Sequence, residues 1–174
     1  MLKNVQDELN RFAKYVISQS RANLTRGKKN SSKELYDSLD SDVKVSKNSF
    51  ALTFLMEEYG VFQDRGVKGT KSGKSLDNFS YKESSNLVGV EYHKGTLAKW
   101  AKRKGVQFRN KKGRYVTHEQ TGYMLANIIK KKGIAPSLFF TKPFEKAFKN
   151  LDKDIVKAFR LDVESLMKNS INNK

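Results

Sequence analysis

The sequence predicts an α+β fold: a long N-terminal helix, a small antiparallel sheet with a hairpin, two shorter helices and a long C-terminal helix. Three observations predict it. Apolar residues recur at helical spacing at Leu2, Val5, Leu9, Phe12, Val16 and Leu24, supported by Ala13 and Ile17, while charged residues including Asp7 and Glu8 take the other face. Asp42-Val43-Lys44-Val45-Ser46 and Phe50-Ala51-Leu52-Thr53-Phe54-Leu55 alternate apolar and polar around Lys47-Asn48-Ser49, the pattern of a hairpin with one buried face. Phe144, Phe148, Leu151, Ile155, Phe159 and Leu166 then make a second helical stripe, long enough to cover a small domain and protrude from it.

Gly27-Lys28-Lys29-Asn30-Ser31-Ser32 ends the first helix with a breaker cluster. Leu35 and Leu39 are expected to cover the hairpin. Tyr59 to Asp64 reads as a short helical turn stopped by Gly66. Residues 66–86 hold three glycines, five serines and four lysines with few apolar anchors, too few to offset the entropy of ordering, and read as a mobile excursion. Leu87 to Tyr92 reads as a short strand returning the chain to the sheet. Thr96 is expected to cap a helix Leu97–Lys104 with Gly105 as its stop and Trp100 as its apolar anchor. A basic loop follows from Gln107 to Arg114. Thr117-His118-Glu119-Gln120 fits a capping box, opening a helix that runs through Tyr123-Met124-Leu125-Ala126-Asn127-Ile128-Ile129 to Lys132 and Gly133. Lys130, Lys131 and Lys132 in its last turn suit the negative end of the helix dipole, and a polyanion contact fits them equally well. Pro143 suits the first position of the final helix. The expected organisation is one domain over residues 1–174, with a flexible basic insert at about 67–95.

The net charge of +17 is unevenly spread. Residues 1–64 hold 10 Lys/Arg against 9 Asp/Glu, residues 65–132 hold 17 against 4, and residues 133–174 hold 8 against 5. The basic middle, net +13, attracts polyanions, with nucleic acid first and an acidic protein second. There is no cysteine, so neither a disulfide nor a thiolate-bound metal holds the fold. The opening residues carry acidic groups and no unbroken apolar run, unlike a signal peptide, and no stretch approaches the roughly 20 apolar residues that span a bilayer. A soluble protein made in a cytoplasm, with no membrane contact, is expected.

Catalytic constellations are not apparent. His93 and His118 have no metal-ligand spacing to another His or a Cys, and read as surface or capping residues. Gly69-Thr70-Lys71-Ser72-Gly73-Lys74-Ser75 has the composition of a phosphate loop without its spacing or the following apolar helix, so it reads as a flexible loop. Asp77 with Glu91-Tyr92-His93-Lys94 echoes a nuclease acidic pair, but Lys94 lies three residues after Glu91 rather than two. Asp64, Glu57 and Glu58 read as ion-pair partners. The expectation is no enzyme, no cofactor and no metal.

Three blocks in order, Tyr59-Gly60-Val61-Phe62-Gln63-Asp64-Arg65-Gly66, Trp100 to Lys104-Gly105, and the helix ending Lys131-Lys132-Gly133-Ile134 followed by Pro136 and Phe139-Phe140, form a pattern that resembles the tail-completion, or neck, proteins of tailed bacteriophages. The long first helix, the segment Glu34 to Leu39 and the hairpin precede them in the order of that family. The lysine-rich insert at 67–95 is longer than the family pattern, and whether it meets a partner or DNA is open. The resemblance implies a structural head-tail connector subunit in the virion, made in the host bacterium. Such a subunit forms a ring with copies of itself beside portal, connector or tail proteins, around a lumen that carries packaged genomic DNA. It implies Lys102, Arg103, Lys104, Arg109, Lys111, Lys112 and Arg114 as candidates facing DNA, and Tyr59, Phe62, Asp64, Trp100, Phe139 and Phe140 as interface or structural candidates. The alternative from the residues alone is a monomeric, sequence-nonspecific nucleic-acid-binding module, its surface the basic stripe with Tyr81, Tyr92, Phe108 and Tyr115.

Overall fold

The structure, a computed structural model, describes residues 2–29, 31–46 and 49–172, with side chains as far as Lys168. Asn30 of the breaker cluster and Lys47 and Asn48 of the hairpin turn lie outside the described residues. The fold is α+β, as the periodicities predict, and it is organised as two compact units. Unit 1 comprises residues 1–57 and 139–174, and unit 2 is the continuous stretch 58–138.

Unit 1 is built on two long helices, α1 (Lys3–Arg26) and α7 (Thr141–Asn172), with the short α2 (Glu34–Ser38) and the antiparallel hairpin β1 (Asp40–Val45) and β2 (Phe50–Leu55). Asp40 pairs with Leu55 and Val45 with Phe50, a register that turns Val43, Val45, Leu52 and Phe54 to one face. That face packs on the apolar stripes of α1 and α7. Val5 and Leu9 meet Ala158, Val43 and Val45, while Phe12, Val16 and Leu151 meet Leu52, Phe54, Phe144 and Ile155. Phe12, Phe54, Phe140 and Phe144 meet largely edge to face, with centroids 5.1 Å apart for Phe54 and Phe140 and 5.7 Å for Phe12 and Phe144.

Leu35 and Leu39 do not cover the hairpin; they join Leu24 and Phe139 in a separate cluster, because α2 lies beside the last turns of α1. Along the stripe of α7, Leu151 and Ala158 are buried, whereas Phe148, Phe159 and Leu166 are about half exposed. Pro143 is the third residue of α7 rather than the first, still within the turn whose N–H groups have no helical partner.

At its start, α1 has no capping side chain of its own. Asp162 of α7 supplies the cap: its Oδ1 accepts from Asn4 N (3.0 Å) and Asn4 Nδ2 (2.8 Å), and its Oδ2 accepts from Val5 N (3.1 Å). Burial works against ionisation there, but these donors outweigh it and hold the carboxyl below the usual carboxylate range.

Unit 2 contains α3 (Tyr59–Arg65), α4 (Leu87–Lys94), α5 (Thr96–Lys104), α6 (His118–Lys132) and the two-residue strands β3 (Val67–Lys68) and β4 (Gly133–Ile134), which pair antiparallel. The stretch expected as a strand, Leu87 to Tyr92, is the helix α4: Asn86 caps it, its side chain accepting from Gly89 N at 3.0 Å. Two valines and a tyrosine gave it the look of a strand, and the cap with helix packing overrode that propensity. Thr96 likewise is not a cap but the first residue of α5. The cap is Glu91 of α4, whose buried carboxylate accepts from Leu97 N and Ala98 N, both at 2.8 Å. In α5 the fully buried residue is Ala101, while Trp100 is half-buried. The capping box at Thr117 is formed in both directions with Gln120.

Among the described residues, no helix is long and apolar enough to cross a membrane.

Candidate functional site

The loop after β3 does more than its composition suggests. Lys68 N donates to Phe79 O, Leu76 N to Arg65 O and Tyr81 N to Lys68 O, and Ser75 Oγ donates to Gly66 O at 2.8 Å. Thr70 N reaches Lys130 O (2.9 Å), while Lys71 N and Ser72 N reach Lys131 O (3.0 and 3.1 Å), so the loop caps the C-terminus of α6. Gly69 makes this possible, since a Cβ there would collide with the Lys131 carbonyl oxygen. The loop's anchors are thus backbone hydrogen bonds, which a census of apolar side chains does not count. Lys130 Nζ is itself engaged, donating to Glu83 O.

The seven cations read from the sequence fall on one continuous segment of unit 2. Lys102, Arg103 and Lys104 form the last turn of α5, which Gly105 ends in the left-handed conformation at φ +64°. Arg109, Lys111, Lys112 and Arg114 stand on a narrow hairpin, residues 107–116, which we call the basic finger. Its strands are bridged at Arg109 and Tyr115, and Val116 N donates to Phe108 O at 3.0 Å. The Arg109 guanidinium lies over the Tyr115 ring, 4.4 Å from its centroid, and donates to the Tyr115 hydroxyl. All four finger cations are exposed, and Lys104 alone of the seven is half-buried. From Lys94 to Arg114 the chain carries nine Lys/Arg and no Asp/Glu.

The candidate interface residues separate. Phe139 is fully buried in unit 1 and Phe140 packs on Phe54 and Phe144, so both are core residues. Tyr59 and Phe62 are about two-fifths exposed and, with Val67, Phe79, Tyr81 and Ile134, line an apolar recess of about 380 Å³ in unit 2. Phe62 meets Phe79 edge to face at 4.9 Å, and burial pushes the Tyr81 phenol up. Asp64 is buried, 3.8 Å from Arg65, and its carbonyl accepts from Ser137 N and Leu138 N. Glu57 and Glu58, by contrast, are exposed and form no ion pair among the described residues.

Of the aromatic residues weighed for a nucleic-acid surface, Tyr92 (71 % exposed) and Tyr115 (61 %) are open, while Tyr81 and Phe108 are half-buried. Tyr92 stacks on Tyr123 at 6.2 Å; burial, then the charge of Glu119, raises the Tyr123 phenol. Glu91 is occupied as a helix cap and Asp77 lies 3.9 Å from Arg65, so the nuclease-like pair has other uses. His93 is exposed and His118 is half-buried with Nδ1 unpartnered. No group of three His, Cys, Asp or Glu among the described residues could hold a metal ion.

Sequence reasoning missed two carboxylates that organise the units, Asp162 and Glu91. Glu91 had a local signal, a carboxylate shortly before a helix whose own start offers no better acceptor. Asp162 had none, because its partners are 157 and 158 residues away.

No family model, no curated protein and no solved structure matches this chain.

Proposed function

We propose that this chain is a structural subunit of a phage neck, assembling with copies of itself into a ring around the DNA channel beside portal, connector or tail proteins. The observation that carries this reading is the division of two kinds of uncovered surface between the units. On unit 1, α7 leaves Val156 (68 % exposed), Phe159, Leu161, Leu166 and Met167 open to solvent. On unit 2, 17 Lys/Arg stand against 6 Asp/Glu. Apolar surface for contact between copies and cationic surface for a polyanion are what a subunit of a DNA-conducting ring requires. The ordered motif blocks support the same reading, since the Tyr59–Gly66 block forms a helix with its glycine stop and the Gly133-Ile134 block pairs with β3.

The exposed rings of Tyr92 and Tyr115 favour a second reading, a monomeric nucleic-acid-binding module. Oligomeric state separates the two. Light scattering of the purified chain, alone and with connector or portal protein, is expected to show a closed oligomer. Phe159→Ser with Leu166→Ser should weaken that oligomer while leaving the helical signal in circular dichroism unchanged. A chain that stays monomeric under every one of these conditions overturns the ring and leaves the module.

A further inference from the structure

The basic finger is more than a cluster of cations. Its turn closes on itself through one side chain, Asn110. The Asn110 Oδ1 accepts from Lys112 N and Arg114 N, both at 3.0 Å, while Asn110 N donates to Arg114 O and its carbonyl accepts from Gly113 N. At the base, Gln107 Nε2 donates to Val116 O at 2.6 Å and Phe108 N to Thr121 Oγ1 of α6 at 3.4 Å. The hairpin is therefore held in shape by polar ties and fastened to a helix, although its tip buries nothing.

We infer that this finger enters a groove of double-stranded nucleic acid, with Arg109, Lys111, Lys112 and Arg114 on the flanking phosphates and Asn110 as the positioning residue. The proposal rests on the polyanion half of the reading above and is independent of the ring.

Three features support it. First, four like charges fall within six residues, where repulsion is screened only beyond the Debye length of roughly 8 Å at physiological salt, and no carboxylate among the described residues pairs with Lys111, Lys112 or Arg114. A surface that served solubility alone would need neither this density nor a tied turn. Second, a two-stranded ribbon matches the major groove of a duplex, about 12 Å wide, where side chains on both strands of the ribbon can reach the backbones on either side. Third, the aromatic platform that single strands require is compromised on the finger, because one face of Tyr115 already carries the Arg109 guanidinium and Phe108 is half-buried, while Tyr92 on α4 has one face stacked on Tyr123. Asn110 Oδ1 and Gln107 Nε2 are engaged within the finger, and the cations beside them suit phosphates, so the contact reads charge and shape.

Fluorescence anisotropy of the full chain with a labelled 20-base-pair duplex, an oligo-dT strand and a poly-glutamate peptide tests this across a salt series. The duplex is expected to bind best, with a slope of log affinity against log salt of about −3 to −4, as four phosphate contacts imply. Lys111→Ser, Lys112→Ser and Arg114→Ser together should lower the slope's magnitude by about 2.7. Asn110→Ala leaves the charge unchanged and should weaken duplex binding roughly fivefold or more, through loss of the pre-organised turn that presents the cations. Wild-type binding by the triple variant overturns the finger as the contact, and wild-type binding by Asn110→Ala overturns its pre-organisation. Equal or tighter binding of oligo-dT or poly-glutamate overturns the duplex. Mass measured on the same samples keeps the readings apart: a monomer with finger-dependent binding removes the ring and leaves this inference, whereas a ring whose duplex binding ignores the finger does the reverse.

Discussion

Unit 1 buries Val5, Leu9, Phe12, Val16, Leu24, Leu35, Leu39, Phe139 and Leu151, and its three apolar clusters account for its arrangement. Unit 2, of similar length, buries only Val67, Ala101 and Ala126 among its apolar side chains; its other buried residues include Asp64, Glu91, Thr121, Gly66, Gly69 and Gly122. The first is held by area removed from water, a force without direction that tolerates small shifts. The second is held by hydrogen bonds and close backbone crossings, which fail when one atom is misplaced. A fold can thus place an aromatic core in one part and leave another part polar enough to carry a dense positive surface.

The largest expected effect tests the apolar half. Phe12→Ala removes a ring packed on Phe54 and Phe144 and should cost about 3–5 kcal/mol. The two long helices supply more than half of the helical residues and so the larger share of the far-UV signal, and the single tryptophan, Trp100, reports on unit 2. Urea unfolding followed by both probes should show the helical transition moving to lower urea first. Should both transitions move together by the same amount, the units unfold as one and the comparison of separate stabilities is broken.

Next comes the polar half. Glu91→Ala deletes two charge-assisted hydrogen bonds to the start of α5 and should cost unit 2 about 2–3 kcal/mol, with Glu91→Gln costing less because one oxygen acceptor survives. The Trp100 midpoint reads it, and an unchanged midpoint in Glu91→Ala would mean that the cap contributes nothing.

How much of each half was legible follows from what holds it. The stripes of α1 and α7 and the alternation of the hairpin announce burial directly, so unit 1 was readable from spacing. The capping box at Thr117 and the stop at Gly66 were readable too, because their partners are near in sequence. Leu87 to Tyr92 reads as a strand because valine and tyrosine favour extended chain, whereas the force that makes it α4 lies in Asn86 and in its packing with α6. The glycine loop before Ser75 looked unanchored because its partners are backbone atoms of α6. The finger's cations could be counted in the sequence, but the tie at Asn110 that presents them could not.

A smaller effect sharpens the role of those crossings. Gly133 sits at φ +78° and ψ −167°, a region open almost only to glycine, and a Cβ there would strike the Val67 carbonyl oxygen. Gly133→Ala should therefore destabilise unit 2 by about 1–3 kcal/mol through strain, more if the β3 and β4 pairing is lost. The urea midpoint read by Trp100 of unit 2, which should fall, is the measurement; an unchanged midpoint would show that the crossing yields without cost.

The smallest effect is one of pH, and it belongs to unit 1. Because Asp162 has a folded pKa below its unfolded value of about 3.9, its stabilising contribution is fully present above that value and is lost as pH falls through the folded one. Acid should accordingly release the start of α1 before the aromatic cluster around Phe12 loosens, with the amides of Asn4 and Val5 losing exchange protection first. Asp162→Asn keeps one oxygen acceptor but not the charge that favours the positive end of α1, so it should cost about 1 kcal/mol at neutral pH. Its stability should then vary less with acid, and the two proteins should converge once the wild-type carboxyl is protonated. Stability curves that stay parallel from pH 7 to strongly acid conditions would remove Asp162 as the titrating cap, leaving the apolar seam between α1 and α7 to account for that end of the helix alone.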